Sequence, residues 1–462
     1  MTEMDRQKGK TMRKQHTYEM DMVHGPLVGK ILLFALPLIL SSTLQLLFNA
    51  ADIIVVGHFA GKESLAAVGS TTSLINLITN LFVGLSIGAN VVVANAYGAG
   101  KEDEIRDTLH TAVLLALISG LFLLIVGVAF ARNFLEMMAS PEDVIGLATL
   151  YLRIYFLGMP ALMLYNFGSA MLRAVGDTKR PLYYLFLAGI INVILNLIFV
   201  IGFHLGVAGV AAATAISQYI SAGLVVWCLV REKGCLHLAW KKLRIQKDKM
   251  KKIFQIGLPA GLQGIVFALS NVVIQSSINS FGSVVMAGSA AAANVEGFIY
   301  MAMNAFYQTA ITFAGQNFGA KEMKRVDRVF GICILFVTIT GVSTGLLCVY
   351  FAVPLLHIYS HDPLVVETGI ERMNYICRFY ALCGIMDVCV GILRGMNRAI
   401  LPMVVSIVGV CGLRLLWIET IFQKHHQIGM LYVAYPVTWL ITLSVHLLCI
   451  FLVRRRYAPI QK

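Results

Sequence analysis

The chain contains 462 residues, of which 58% are hydrophobic and only 13% are charged. Because a soluble globular protein carries roughly 25% charged residues, this composition excludes an ordinary soluble enzyme and indicates a protein whose solvent is lipid. A formal net charge of +13 would also suit a nucleic-acid partner. The basic residues instead follow a membrane topology, described below, so we expect a lipid bilayer and no nucleic acid as partner.

Twelve apolar segments follow one another along the chain, each long enough to cross a hydrocarbon core of roughly 30 Å as an α-helix. They predict an all-α integral membrane protein. The predicted helices 1 to 12 cover residues 31–56, 65–96, 109–131, 144–171, 181–203, 207–230, 253–280, 284–314, 329–352, 366–392, 401–422 and 428–453.

Lysine and arginine collect on one side of this topology. The N-terminal tail, the loops after the even-numbered helices and the C-terminus hold 30 of the 37 basic residues, with Arg394 and Arg398 counted in the loop after helix 10. This positive-inside pattern predicts that both termini lie in the cytoplasm. Nine of these residues lie between Arg231 and Lys252, a segment that we interpret as a solvated cytoplasmic loop against anionic lipid.

The two halves of the chain repeat each other at an offset of about 221 residues. The matching positions are Arg173 with Arg394, Pro181 with Pro402, Gly98 with Gly319 and Pro37 with Pro259. Each copy has six helices, so both cross the membrane in the same direction, and parallel repeats of this kind hold a binding site between them. We therefore predict a tail (1–30), a first lobe (31–230), a linker (231–252), a second lobe (253–453) and a second tail (454–462).

Asp52 is the strongest functional candidate within the predicted helices. A carboxylate in a spanning helix costs several kcal/mol unless it faces a cavity or a partner. Ser41, Gln45 and Asn49 precede it at spacings that put all four side chains on one face of helix 1. Apolar surroundings disfavour the charged form of a carboxyl group, which suits reversible proton binding near neutral pH. The competing interpretation is that Asp52 caps the helix near Gly57 in water.

Four further residues accompany Asp52 in the first lobe. Pro37 removes a backbone hydrogen bond from helix 1 and gives it a place to bend. Asn192 and Asn196 lie one turn apart in helix 5, and Thr214 lies in helix 6. These amide and hydroxyl groups are candidates for the same cation-coupling site as Asp52, or they form hydrogen bonds between helices.

The second lobe offers candidates for a substrate cavity. Its polar residues include a stripe on one face of helix 8 and Asp387 in helix 10, and Arg414 and Glu419 are candidates for a charge network within the lobe. Ordinary packing is the competing interpretation for these residues. The proposed cavity residues are Gln45, Asn49, Gln263, Glu296, Tyr300 and Asn304.

Several motifs are absent from the sequence. No GxxxxGK[ST] phosphate-binding loop occurs, so we expect an ion gradient and not ATP as the energy source. No HExxH motif occurs, and we expect a protein that is not an enzyme. The nine cysteines form no CxxC pair and no zinc spacing, so we expect no disulfide framework, metal or cofactor.

Residues 45–58 and 65–69 resemble the signature that helices 1 and 2 carry in the multidrug and toxic compound extrusion (MATE) family. Residues 172–181 and 313–320 are similar to two further motifs of the family. The resemblance covers all twelve helices. It implies two pseudo-symmetric six-helix lobes arranged as a V, and cation-coupled export of amphiphilic, often cationic, compounds by a monomer in the bacterial inner membrane.

Residue by residue, the resemblance puts Asp52 at the aspartate that binds the proton or sodium ion in family members. Asn192 and Thr214 fall on two polar positions around it, and Pro37 falls on the proline at which helix 1 bends. Some members have a second aspartate where this chain has Asn196. With one carboxylate, the site resembles the proton-coupled DinF-like branch, although sodium stays possible.

The expectation from the sequence is therefore proton/drug antiport. One alternative is a lipid-linked oligosaccharide flippase of the same superfamily, which would need a more cationic cavity. The other is a membrane-embedded transferase or hydrolase, which would need a catalytic group of residues that the sequence lacks.

Overall fold

The computed structural model describes residues 18–138 and 140–457. Residues 1–17 of the predicted N-terminal tail and 458–462 of the predicted C-terminal tail lie outside the described residues. Within the described residues, eleven continuous helices are long and apolar enough to cross a membrane, and a pair of helices bent by 47° forms a further span. The prediction of twelve spanning helices is confirmed.

We number the spans α1 to α12 in chain order. Their bounds are α1 Leu27–Phe59, α2 Lys62–Gly98, α3 Glu102–Met137, α4 Glu142–Leu157 with Met159–Ala174, α5 Lys179–Gly202, α6 Gly206–Arg231, α7 Lys247–Asn279, α8 Ser283–Gly319, α9 Met323–Tyr350, α10 Pro363–Gly395, α11 Ile400–Phe422 and α12 Ile428–Tyr457.

The helix ends differ most from the prediction where charged turns extend a span beyond its apolar part, on the side of the bundle that the basic residues predict to be cytoplasmic and that we call the cytoplasmic side. Helix 3 was predicted from residue 109, whereas α3 begins at Glu102 with three acidic residues in its first turn. Hydropathy marks only the part of a helix that lies in lipid, and acidic groups at a helix N-terminus favour its dipole. Two short elements were not predicted, a 3₁₀ turn at Trp240–Lys242 and a helix at Ala352–His357.

The helix α1 crosses from one lobe to the other. Its inner residues Leu27, Ile31 and Phe34 are buried in the core of the second lobe, where the ring of Phe34 meets that of Phe313 edge to face at 5.5 Å. The outer part of α1 belongs to the core of the first lobe. Pro37 lies within the helix between these two packing environments.

The helix α7 makes the same crossing in the opposite direction. Its inner residues Ile253 and Ile256 are buried in the core of the first lobe, and its outer residues Ile274 and Ile278 are buried in a core formed by the second lobe. The two lobes therefore meet through the inner halves of their first helices. This arrangement follows the repeat that the sequence predicts.

The backbones of α2 and α7 touch along their cytoplasmic halves. A β-carbon added to Gly257 would lie 2.6 Å from the Cα of Leu85, and one added to Gly261 would lie 2.7 Å from the Cα of Leu81. Only glycine permits so close an approach, because any other residue brings a β-carbon. The lobes are thus closed against each other on the cytoplasmic side.

Residues 18–26, which we call the N-terminal strap, span the cytoplasmic ends of both lobes. The backbone N–H of Met20 donates to the carbonyl of Val175 in the first lobe at 3.1 Å. In the second lobe, Asn317 and Arg325 each donate to the carbonyl of Met22 at 3.2 Å. The Met22 side chain is fully buried. The strap therefore joins the two lobes in this conformation.

Candidate functional site

Asp52 lies where α1 meets α5 and α6, inside a ring of neutral polar groups. The amide of Asn196 donates to one of its carboxylate oxygens, and the hydroxyl of Thr214 donates to the other at 3.4 Å. Asn196 also donates to the side-chain oxygen of Asn192 at 3.2 Å, and the Asn192 amide donates to the Thr214 hydroxyl at 3.4 Å. The structure thus brings together the four residues that the sequence nominates for cation coupling.

The backbone of α5 sets the position of both asparagines. One helical turn separates Asn192 from Asn196, so both amides face α1 and α6. Directly after Asn196, the helix widens into a π-helical turn at Leu197–Gly202, a feature that proteins often place at functional sites. Asn196 is fully buried, and its side-chain oxygen has no hydrogen-bond partner in the part of the chain that the structure describes.

Aromatic residues of α4 complete the surroundings of Asp52. The rings of Tyr151 and Tyr155 stack with centroids 5.9 Å apart, and the charge of Asp52 acts on both hydroxyl groups. Among the described residues, the partners that act on the Asp52 carboxylate are an amide and a hydroxyl, and none is cationic. An acidic group without a cationic partner in an apolar span can bind a cation.

The other residues of the polar stripe on α1 differ in their hydrogen bonds and exposure. The hydroxyl of Ser41 donates to the carbonyl of Pro37 at 2.8 Å, a bond within the helix that favours bending. Gln45 and Asn49 are exposed. Pro37 and Ser41 lie at the boundary between the inner and outer parts of α1.

Glu296 forms a buried ion pair within the second lobe. Its carboxylate accepts two hydrogen bonds from the Arg372 guanidinium, at 2.9 and 2.8 Å, and Arg372 also donates to the hydroxyl of Ser289 at 2.8 Å. The sequence analysis assigns Glu296 to the substrate cavity, because the spacing of residues does not reveal that Arg372 in α10 is its partner. The pair joins α8 to α10 and occupies both carboxylate oxygens of Glu296.

Arg394 corrects one point of the sequence analysis. It was counted as a cytoplasmic loop residue, whereas it lies in the last turn of α10 and is only 4% exposed. It donates to the Gln263 side-chain oxygen at 2.8 Å and to the Tyr307 hydroxyl. The charge of Asp387 also interacts with that of Arg394. Its counterpart in the repeat, Arg173, likewise lies in the last turn of its helix.

Two predicted cavity residues remain accessible in the second lobe. Tyr300 and Asn304 are half-buried and lie about one turn apart in α8. The suggested network between Arg414 and Glu419 does not form as an ion pair between these two residues. Glu419 is exposed, whereas Arg414 is buried.

A cavity of about 700 Å³ lies between the lobes on the cytoplasmic side. Residues of both lobes line it, among them Asn95, Gln255, Phe318 and Tyr457. Its lining contains none of the predicted site residues. In residues 18–138 and 140–457, no group of three or more histidine, cysteine or acidic side chains has a geometry that could hold a metal ion.

Comparisons with known proteins bear on this arrangement. A protein-family model described as MatE matches residues 37–198 and 259–417, two stretches that follow the repeat. The chain is 27% identical over 428 residues to a Bacillus subtilis protein named probable multidrug resistance protein YoeA, covering 89% of this chain and 90% of the relative. It is 25% identical to a Shewanella oneidensis protein named FAD transporter, covering 94% and 96%.

The fold also has close counterparts among solved structures. One is described as the outward-facing conformation of a multidrug resistance MATE family transporter of the MOP superfamily. It superimposes with a TM-score of 0.90 at 19% identity, covering 96% of this chain and 99% of that one. The prediction of two six-helix lobes arranged as a V is confirmed by this likeness.

Proposed function

Because this chain belongs to the MatE family of multidrug efflux transporters, we propose that it exports amphiphilic, often cationic compounds in exchange for protons, by alternating access. The observation that carries the proposal is the Asp52 carboxylate, which lies within a spanning helix and interacts with neutral donors alone among the described residues. Such a group can bind and release one proton, or attract one cationic compound.

Protonation changes the hydrogen bonds that hold α1 to the first lobe. The ionised Asp52 accepts from Asn196 and Thr214, whereas a protonated carboxyl group must also donate. The side-chain oxygen of Asn196 has no partner among the described residues and is a nearby acceptor for that proton. The ring of four side chains therefore rearranges when Asp52 takes up a proton.

The crossing of α1 between the lobes links this local change to movement of the whole protein. The outer part of α1 holds Asp52 against α5 and α6, while Phe34 and its neighbours fix the inner part in the second lobe. Pro37 joins the two parts and cannot donate a backbone hydrogen bond. A change in the attachment of Asp52 thus biases the angle between the lobes.

Exchange follows when proton and cargo favour different conformations. The ionised Asp52 attracts a cationic compound, and protonation removes that attraction, so binding of one weakens binding of the other. The single carboxylate of this site supports a proton over sodium as the coupling ion, because among the described residues the groups that act on Asp52 are a neutral amide and a neutral hydroxyl.

We further propose that the protein is a monomer in the bacterial inner membrane with both termini in the cytoplasm. The basic linker between α6 and α7 supports this orientation, because basic residues gather on the cytoplasmic side of membrane proteins. The sequence contains no HExxH motif, and this supports a transporter without an enzymatic step.

Everted membrane vesicles test the proposed role of Asp52. We expect Asp52→Asn to abolish dye accumulation driven by a proton gradient, because asparagine has the same shape and cannot titrate. Asp52→Glu is the matched control and should retain part of the activity, since it keeps a carboxyl group. Full proton-driven accumulation in Asp52→Asn would refute the assignment. Accumulation driven by sodium in the absence of a proton gradient would identify sodium as the coupling ion.

A further inference from the structure

The interior of the second lobe holds more positive than negative charge. Arg372, Arg394 and Arg414 are each at most 6% exposed. Glu296 pairs with Arg372, and the charge of Asp387 interacts with that of Arg394. For Arg414, no carboxylate lies within ion-pair distance in the part of the chain that the structure describes. One buried guanidinium is therefore without a compensating acid.

The contacts of Arg414 leave donor capacity unused. One terminal N–H donates to the Thr438 hydroxyl at 3.5 Å, and the guanidinium lies 4.2 Å from the centre of the Tyr435 ring. Its Nε has no hydrogen-bond partner among the described residues. A guanidinium carries five N–H donors, and burying its charge without an acceptor is unfavourable. Charged groups retained at such positions in membrane proteins mark ligand pathways.

The Tyr435 ring that lies against this guanidinium belongs to an aromatic cluster. The ring of Trp439 lies between those of Tyr380 and Tyr435, with centroid separations of 5.3 and 5.7 Å. Both tyrosines are half-buried, whereas Trp439 is buried. Tyrosine and tryptophan rings favour stacked or edge-to-face contacts with other flat rings. The surroundings of Arg414 therefore suit an aromatic ligand that also carries a hydrogen-bond acceptor with negative charge.

We propose that Arg414 anchors the carboxylate or phosphate group of an aromatic compound that this transporter exports. Arginine binds such groups through two parallel N–H bonds. The proposal rests on the proposed export function and adds a second class of cargo to it. Arg414 and Asp52 belong to different lobes, so the anion and the coupling proton occupy separate sites, and lobe movement connects them.

Dye uptake into everted vesicles under a proton gradient tests this assignment. The probes are carboxyfluorescein, an aromatic anion, and ethidium, an aromatic cation. We expect Arg414→Gln to lower carboxyfluorescein uptake by roughly tenfold to a hundredfold, the effect of losing a charge-assisted hydrogen bond, while ethidium uptake stays within about twofold. Arg378→Gln is the matched control, because it removes an exposed arginine from the same lobe and should change neither dye.

Two additional measurements separate binding from folding. Carboxyfluorescein polarisation with detergent-purified protein should detect binding to the wild type and to Arg378→Gln, and weaker binding to Arg414→Gln. Arg414→Lys keeps the charge and should restore part of the binding.

The anion site would be overturned if Arg414→Gln lost the uptake of both dyes equally, or if it took up both dyes as the wild type does. It would also be overturned if the wild type took up ethidium but no carboxyfluorescein. A wild type that takes up neither dye would contradict the proposed export function itself.

Discussion

The close contact between α2 and α7 predicts that one methyl group added at this contact favours the conformation in which the cytoplasmic ends of the lobes are apart. In Gly257→Ala, the new β-carbon would lie 2.6 Å from the Cα of Leu85 and 2.8 Å from the carbonyl oxygen of Gly84. Ordinary contact begins near 3.4 Å, so the two helices must separate by about 0.8 Å. Both atoms belong to backbone, which has no alternative rotamer to adopt.

The added methyl group destabilises the conformation in which the lobes are closed at the cytoplasmic side. Overpacking of this size costs about 1–3 kcal/mol. A bias of that size changes the ratio of two conformations by roughly 5- to 150-fold. We therefore expect Gly257→Ala to increase the population in which the cytoplasmic ends of the lobes are apart.

Spin labels on the cytoplasmic face measure this change. Asp103 in α3 and Lys324 in α9 are exposed and belong to different lobes. Gly264→Ala on the same helix is the control, because its β-carbon would make an ordinary contact of 3.4 Å with Asn80. We expect a longer-distance population in Gly257→Ala and none in Gly264→Ala. Identical distance distributions in both variants would refute the reasoning.

Two further predictions concern the second lobe and the strap. Glu296→Ala should destabilise the purified protein by about 3–5 kcal/mol, because it leaves Arg372 as an unpaired buried charge. Thermal unfolding in detergent measures this loss, and Glu367→Ala, which changes an exposed glutamate on the helix of Arg372, should have little effect. Arg325→Ala removes donors to the strap carbonyl of Met22, so hydrogen–deuterium exchange of residues 18–26 should accelerate; unchanged exchange would contradict a structural role for Arg325.

The helices and the first-lobe site could be predicted because their signals are local. Apolar length fixes where a chain crosses lipid, and the one-sided distribution of lysine and arginine fixes its direction. Asp52 is conspicuous for the same reason, since a carboxylate within an apolar helix needs a partner or a cavity. The spacing of Asn192 and Asn196 puts both on one face of α5, and the family resemblance connects them with Asp52.

Pairing between distant residues required the tertiary structure. Arg372 lies 76 residues from Glu296, and nothing in the spacing of either helix indicates that the two side chains meet. Arg394 follows the last apolar residues of its helix, so hydropathy assigns it to the cytoplasm; its burial depends on Gln263 and Tyr307, which come from α7 and α8.

The sequence by itself predicted twelve helices, the repeat and the acidic residue in α1. Only the tertiary structure decided that the inner halves of α1 and α7 pack against the opposite lobes, that the strap joins the lobes, and that among the described residues no acid forms an ion pair with Arg414. The physical reason is that hydropathy and periodicity report the surroundings of one helix at a time. Which helices touch, and therefore which charges are compensated, depends on the packing of all twelve.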